Sequence, residues 1–264
     1  MDLGILVTND DGIYAPGLWM LVEELQKVGQ VIVVAPDREQ SGIGTAVTLH
    51  QPLRVRPVKP LIPKIKAYSV EGTPADSVIL ALGMLAENKV NLIFSGINEG
   101  ANLGDDVLLS GTVGAAFQGY FHKLPSIALS VASWENVHFD VAAKLGGLLA
   151  SKIMAGSFPQ GILLNINLPN LPVEKIEGIE FTRLGQRSYA DLIKPGYDGK
   201  REYYWVVRGN PHWTIEQGTD IGAIETGKIS ITPLHSNLTG NYEASLREYL
   251  SSLPRELRLG GALA

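Results

Sequence analysis

Residues 4–12 read Gly-Ile-Leu-Val-Thr-Asn-Asp-Asp-Gly: a short, mostly apolar run that stops at three polar residues and a glycine. A run of this kind bounded by turn residues reads as a buried strand. Residues 16–27 (PGLWMLVEELQK) follow, with Leu18, Leu21, Val22 and Leu25 at helical spacing. Residues 31–35 (VIVVA) are rich in β-branched side chains and end at Pro36-Asp37. Strand, helix and strand in this order make the unit from which parallel sheets are built.

The alternation continues along the chain. Strands are predicted at 66–70, 91–95, 126–131, 161–167 and 228–233, and helices at 74–85, 112–121, 139–154 and 242–252. Residues 45–58 alternate apolar and polar and predict a hairpin. The expected fold is α/β: a Rossmann-like, mostly parallel sheet with helices on both faces, plus a smaller C-terminal hairpin arm. The polar, Tyr- and Trp-bearing stretch 176–218 is expected to be that arm and to serve oligomerisation. Residues 1–175 and 219–252 would form the α/β domain, and 253–264 a tail.

Composition narrows the function. The 264 residues include no Cys, which excludes a disulfide framework, Cys-ligated zinc and a thiol nucleophile. A net charge of −5 lacks the electrostatic footprint of a duplex nucleic-acid binder. The longest apolar stretch, about residues 78–86, is too short to span a membrane, and the N-terminus lacks a basic leader. A cytoplasmic protein with no membrane partner is the expectation. There is no G-x-S-x-G elbow, and none of the five His lies in the polar clusters.

Three such clusters each follow a predicted strand: Asn9-Asp10-Asp11-Gly12, Asp37-Arg38-Glu39-Gln40-Ser41-Gly42, and Ser95-Gly96-Ile97-Asn98-Glu99-Gly100. In a parallel sheet they share one edge, where such folds bind ligands. Adjacent carboxylates at a buried strand end repel, and a hard divalent cation relieves the repulsion. Asp10 and Asp11 with neutral oxygens from Ser41 and Asn98 make an all-oxygen set suited to Mg²⁺, Mn²⁺ or Ca²⁺ rather than zinc. Alone, DDG is also ordinary turn chemistry, and Ser41 or Asn98 an ordinary cap. Ser110-Gly111-Thr112 opens a predicted helix and offers an anion site at its positive end, though for that piece alone a plain N-cap with small residues for close helix–sheet packing is the better reading. The clusters hold one cationic side chain, Arg38, so a phosphoryl group would rely on metal and backbone donors.

The segments TNDDGIYAPGL (8–18), VAPDREQSG (34–42), VEGTPADSV (70–78), SGINEGANLGDDVLLSGTVGAA (95–116) and GTDIGAIETGKISITPL (218–234) together closely resemble the survival protein E (SurE) family. The resemblance implies a metal-dependent phosphatase that hydrolyses nucleoside 5′-monophosphates, with 3′-monophosphates and polyphosphate as further substrates. It places one divalent metal ion per subunit on Asp10, Asp11, Ser41 and Asn98, and phosphate contacts at Asn9, Gly42, Asn102, Ser110, Gly111 and Thr112. Asp10, Asp11 and Asn9 would carry the catalysis, and the chain would form a dimer or tetramer. Ser77 stands where the family often has Cys, Leu109 where Tyr is common, and Gln118 where Glu is common; the loop Gly42–Ala46 also departs from the family pattern. None of these removes an implied ligand.

Two other readings compete. A phosphate-sensing receiver domain also begins with paired acids, but it needs a phospho-accepting Asp after a central strand and a late Lys. Here those strands are followed by Gly-Ile-Asn and Ala-Ser-Trp. A nucleotide-sugar transferase would need an acceptor site that the sequence does not display.

Overall fold

The computed structural model describes residues 4–86, 90–156, 159 and 161–239. The chain divides into two units, 1–234 and 235–264, and the fold below is that of the first.

In chain order its elements are β1 (Gly4–Thr8), α1 (Pro16–Leu25), β2 (Gln30–Pro36), β3 (Val55–Pro57), β4 (Lys66–Val70), α2 (Pro74–Leu80), β5 (Val90–Glu99), α3 (Gly111–Phe121), β6 (Ser126–Ala132), α4 (Phe139–Met154), β7 (Leu163–Pro169), β8 (Ile179–Phe181), β9 (Arg187–Tyr197), β10 (Glu202–Trp213), α5 (Asp220–Glu225) and β11 (Ile229–Leu234). Nine strands form one sheet in the order β3-β4-β2-β1-β5-β6-β7-β11-β8. From β4 to β7 every neighbour is parallel; β3 pairs antiparallel to β4, and β11 antiparallel to β7 but parallel to β8.

The central strands bury both faces, so their sequences are almost continuously apolar. Successive side chains point to opposite sides. Ile5 and Val7 join a core with Leu18, Leu21 and Leu25 of α1 and Ala142 and Ala143 of α4. Leu6 points the other way, into a core with Val78 of α2 and Ala115 of α3. Helices therefore cover both faces, as expected. The chain builds β1, β2 and β4 outward and then returns to place β5 beside β1. That reversal opens a crevice at the carboxyl ends of β1 and β5.

Several local expectations change. Of the hairpin expected at 45–58, only Val55–Pro57 is a strand, and it pairs with β4. Upstream, the Asp76 carboxylate accepts from Thr48 N and Oγ1 (2.9 and 2.6 Å), while Thr73 Oγ1 donates to Ala46 O (2.8 Å). The segment is thus held against the start of α2 and does not pair with itself. The helix expected to reach residue 85 is α-helical to Leu80 and ends in a π turn, Ala81–Leu85, closed by Ala86 N donating to Ala81 O (3.0 Å). β5 runs to Glu99, beyond the expected 95, through a register shift between Gly96 and Asn98. Within 176–218, Ile179–Phe181 joins the main sheet beside β11, and β9 and β10 form a separate two-stranded hairpin. The helix expected at 242–252 and the tail at 253–264 lie outside the described residues. No helix among the described residues is long and apolar enough to cross a membrane.

Candidate active site

The crevice is built on the strand ends. β1 delivers Asn9, Asp10 and Asp11. The Asn9 side chain folds back on Gly12, with Nδ2 donating to Gly12 O (3.0 Å) and Oδ1 accepting from Gly12 N (3.2 Å). This fixes a tight turn and aims the two aspartates. The second cluster is drawn alongside by Gln40 N donating to Asp10 O (2.8 Å).

Asp10 is 4% exposed. Its carboxylate accepts from Thr112 Oγ1 and from the Thr112 backbone N–H, so the start of α3 grips it directly. Ser110 caps α3, its Oγ accepting from Val113 N (3.2 Å). Gly111 is there for space: a Cβ on it would lie 2.8 Å from Asp10 Cβ and 3.0 Å from Asp10 Oδ2. Burial raises the Asp10 pKa from the usual carboxylate range, against the lowering effect of the Thr112 donors.

Asp11 is the sharper case. Burial first, then the charges of Asp10, Glu99 and Glu39, push its pKa up to about 8, while the Glu99 backbone N–H lowers it. Its Oδ2 is buried with no hydrogen-bond partner. Among the described residues no cationic side chain offsets either aspartate. Arg38, the cation the sequence offered, is largely exposed and stands 4.0 Å from Asp37.

Asn98 sits on β5, its Nδ2 donating to Gly100 O (2.7 Å), which leaves Oδ1 as a neutral oxygen donor. Ser41 is exposed and donates to Glu39 Oε1 (2.7 Å). Gly42, at φ +72°, lies in open space beside it. The described contacts thus join Asp10, Gly111 and Thr112 directly, and link Asp11 through Glu99 to the strand that bears Asn98. They do not join Ser41 or Gly42 to the aspartates. Asn102 is committed elsewhere: its Nδ2 donates to Ser130 Oγ (2.9 Å), its N to Asn167 Oδ1 (2.8 Å), and its carbonyl accepts from Asn165 Nδ2 (2.8 Å) and Asn167 Nδ2 (3.1 Å).

Sequence reasoning missed the supports of the loop that runs from β5 to α3. Asn165, Asn167 and Ser130 hold Asn102. Asp220, fully buried, accepts from Gly104 N (2.8 Å), Gly185 N (2.7 Å) and Ile221 N (2.8 Å). The only signal was the GTD segment, which carried no role of its own. Glu39 and Glu99 were also missed as charges acting on Asp11. A cavity of about 340 Å³ lies at the other end of the sheet, lined by strand starts such as Gly4, Gln30 and Lys66, away from all three clusters.

The donor set fits a hard divalent cation. Two adjacent carboxylates, Asp10 buried and Asp11 half-buried, with one unpartnered carboxylate oxygen and a neutral amide oxygen, are oxygen ligands in need of positive charge. Among the described residues no group of three or more His, Asp or Glu gathers around a metal-sized space.

Fold and crevice together define a doubly wound α/β protein with an acidic site at its topological switch point. The chain belongs to the family described as Survival protein SurE, whose profile matches residues 5–191. It is 52% identical over 236 residues to the 5′-nucleotidase SurE of Dehalococcoides mccartyi strain CBDB1, covering 89% of both chains. It is 48% identical over 251 residues to the 5′-nucleotidase SurE of Moorella thermoacetica, covering 94% of this chain and 96% of that one. The crystal structure of the SurE protein from Aquifex aeolicus matches with a TM-score of 0.75 at 38% identity, over 97% of this chain and 99% of that one.

Proposed function

We propose that the chain is a divalent-metal-dependent phosphatase that hydrolyses nucleoside 5′-monophosphates to nucleoside and phosphate. 3′-monophosphates and short polyphosphate are further substrates of the same chemistry. The observation that carries this is the Asp10–Asp11 pair at the switch point, Asp10 buried and Asp11 half-buried, with no counter-charge from the described residues. The named activity of the relatives, 5′-nucleotidase, supports it.

Asp10 and Asp11 hold one cation, Mg²⁺ or Mn²⁺, with Asn98 Oδ1 and Ser41 Oγ as neutral ligands. The bound cation supplies Lewis-acid polarisation of the phosphoryl group and lowers the pKa of water. The chain's own residues do the rest. Thr112 fixes the Asp10 carboxylate. The start of α3, with Gly111 N–H, faces the phosphoryl group with its positive end. Asn9 holds the turn from which both aspartates project, Gly42 offers the phosphate a contact from the Ser41 loop, and Asn102 anchors the loop that leads to α3. The hairpin β9–β10, with Tyr204, Trp205 and Val206 exposed, pairs with a second copy of the chain in a dimer or tetramer.

The test is phosphate release from AMP, GMP and p-nitrophenyl phosphate with Mg²⁺, Mn²⁺ or EDTA. Release with metal and none with EDTA is the expected result. No release from folded protein under any of these conditions would overturn the reading.

A further inference from the structure

The metal and phosphate residues account for one end of a nucleotide. The base is left without a partner, and the rim of the crevice supplies one. Trp134 follows β6 and is 71% exposed. An indole this exposed is normally a surface accident on a loose loop, but here the mount is rigid. Ser133 Oγ donates to Glu135 O (2.7 Å) and accepts from Glu135 N (3.2 Å), closing a turn around Trp134. Further along the loop, Asn170 accepts from His138 N (2.8 Å) and donates to Asn136 O (3.2 Å).

The ring is also seated against the site. A Cβ on Gly100 would lie 2.6 Å from Trp134 Nε1 and 2.7 Å from Cε2, so this edge of the indole occupies the space that any other residue at 100 would fill. Gly100 O is the acceptor of Asn98 Nδ2, and Gly100 N donates to Val131 O (2.9 Å). The preceding N–H, that of Glu99, is bound by Asp11. Consecutive Cα atoms are about 3.8 Å apart. The indole is therefore about one residue's length along the chain from the group that Asp11 holds, with most of its surface open to solvent.

We propose that Trp134 is the stacking platform for the nucleobase of the substrate, a specificity-determining residue at the rim of the acidic crevice. A flat, rigidly mounted aromatic surface is what base stacking requires, and it accepts any base because every base has a π-face. The assignment rests on the phosphatase reading.

The test compares AMP with ribose 5-phosphate, which has the same phosphate and sugar but no base. The ratio of kcat/KM for AMP to that for ribose 5-phosphate is measured in wild type, W134A and W134F with Mn²⁺. The ratio falls about tenfold in W134A, equivalent to about 1.4 kcal/mol, and stays within about twofold of wild type in W134F, which keeps a ring. An unchanged ratio in W134A overturns the platform. Calorimetric titration with AMP separates the two readings. If wild type hydrolyses neither substrate yet W134A binds AMP about tenfold more weakly, the phosphatase reading fails and the platform stands. Equal AMP binding by both proteins overturns the platform, and no AMP binding by wild type overturns both.

Discussion

At the scale of the residue, two adjacent carboxylates are held where neither is comfortable. Asp10→Asn and Asp11→Asn each keep the shape and remove the charge that a cation needs. Each is expected to lower phosphate release by at least about a hundredfold while the circular-dichroism spectrum stays native. The raised Asp11 pKa has a signed consequence for stability. Unfolded, Asp11 loses its proton near pH 4; folded and metal-free, it keeps the proton until about pH 8. Between those values the folded state holds more protons, so the stability of EDTA-treated protein falls as pH rises through the window and levels off above it. Thermal unfolding should therefore move to lower temperature from pH 5 to about pH 8 in EDTA. Mn²⁺ should restore it, by more at the high-pH end, and Asp11→Asn should flatten the profile. A flat profile in the wild-type chain would remove the case for a buried, uncompensated Asp11. The paired acids were legible because Asn-Asp-Asp-Gly ends an apolar run. Their neighbours Glu39 and Glu99 were not, because their effect depends on distances across three separate loops.

At the scale of the element, α3 and α2 show how helix starts do different work. The start of α3 is spent on Asp10, and Gly111 gives the carboxylate room. Gly111→Ala pushes a methyl into that carboxylate and should cut activity by about tenfold or more and lower the melting temperature by several degrees; a wild-type rate would show that the contact is slack. The start of α2 instead anchors the fold. Asp76 closes a capping box with Thr73 and also captures Thr48. Asp76→Ala strands several buried donors and should cost about 2–3 kcal/mol, measured by urea unfolding. The same carboxylate explains why the expected hairpin at 45–58 does not form. Alternation over Val47, Leu49, Leu53 and Val55 looked like paired strands, but a long-range contact to Asp76, with no trace in local sequence, won. Elements buried on both faces along nearly their whole length, such as β1 and β6, were read from their apolar runs almost to the residue.

At the scale of the whole molecule, strand–helix alternation was enough to predict a parallel sheet, and the chain reversal between β4 and β5 identifies the crevice at one of its edges. The arm was visible only as a change in composition. That Ile179–Phe181 belongs to the sheet was hidden, because a three-residue edge strand has no periodicity to read. Trp205→Ser with Val206→Glu should convert the assembly to monomer by sedimentation, if the hairpin's exposed apolar surface is what a second copy covers.

Asp220 sets the limit on how far that arm can be redesigned. One carboxylate clasps Gly104 on the way to α3, Gly185 at the root of the hairpin and the first turn of α5. β9 also touches the Gly104–Leu108 segment beside that clasp, so exchanging residues 188–212 for a tight turn keeps the three hydrogen bonds of Asp220 but removes one support of the loop. A cut that reaches back through Gly185 unlatches the turn at Gly104, so the chain carries a built-in boundary between a replaceable appendage and the working body.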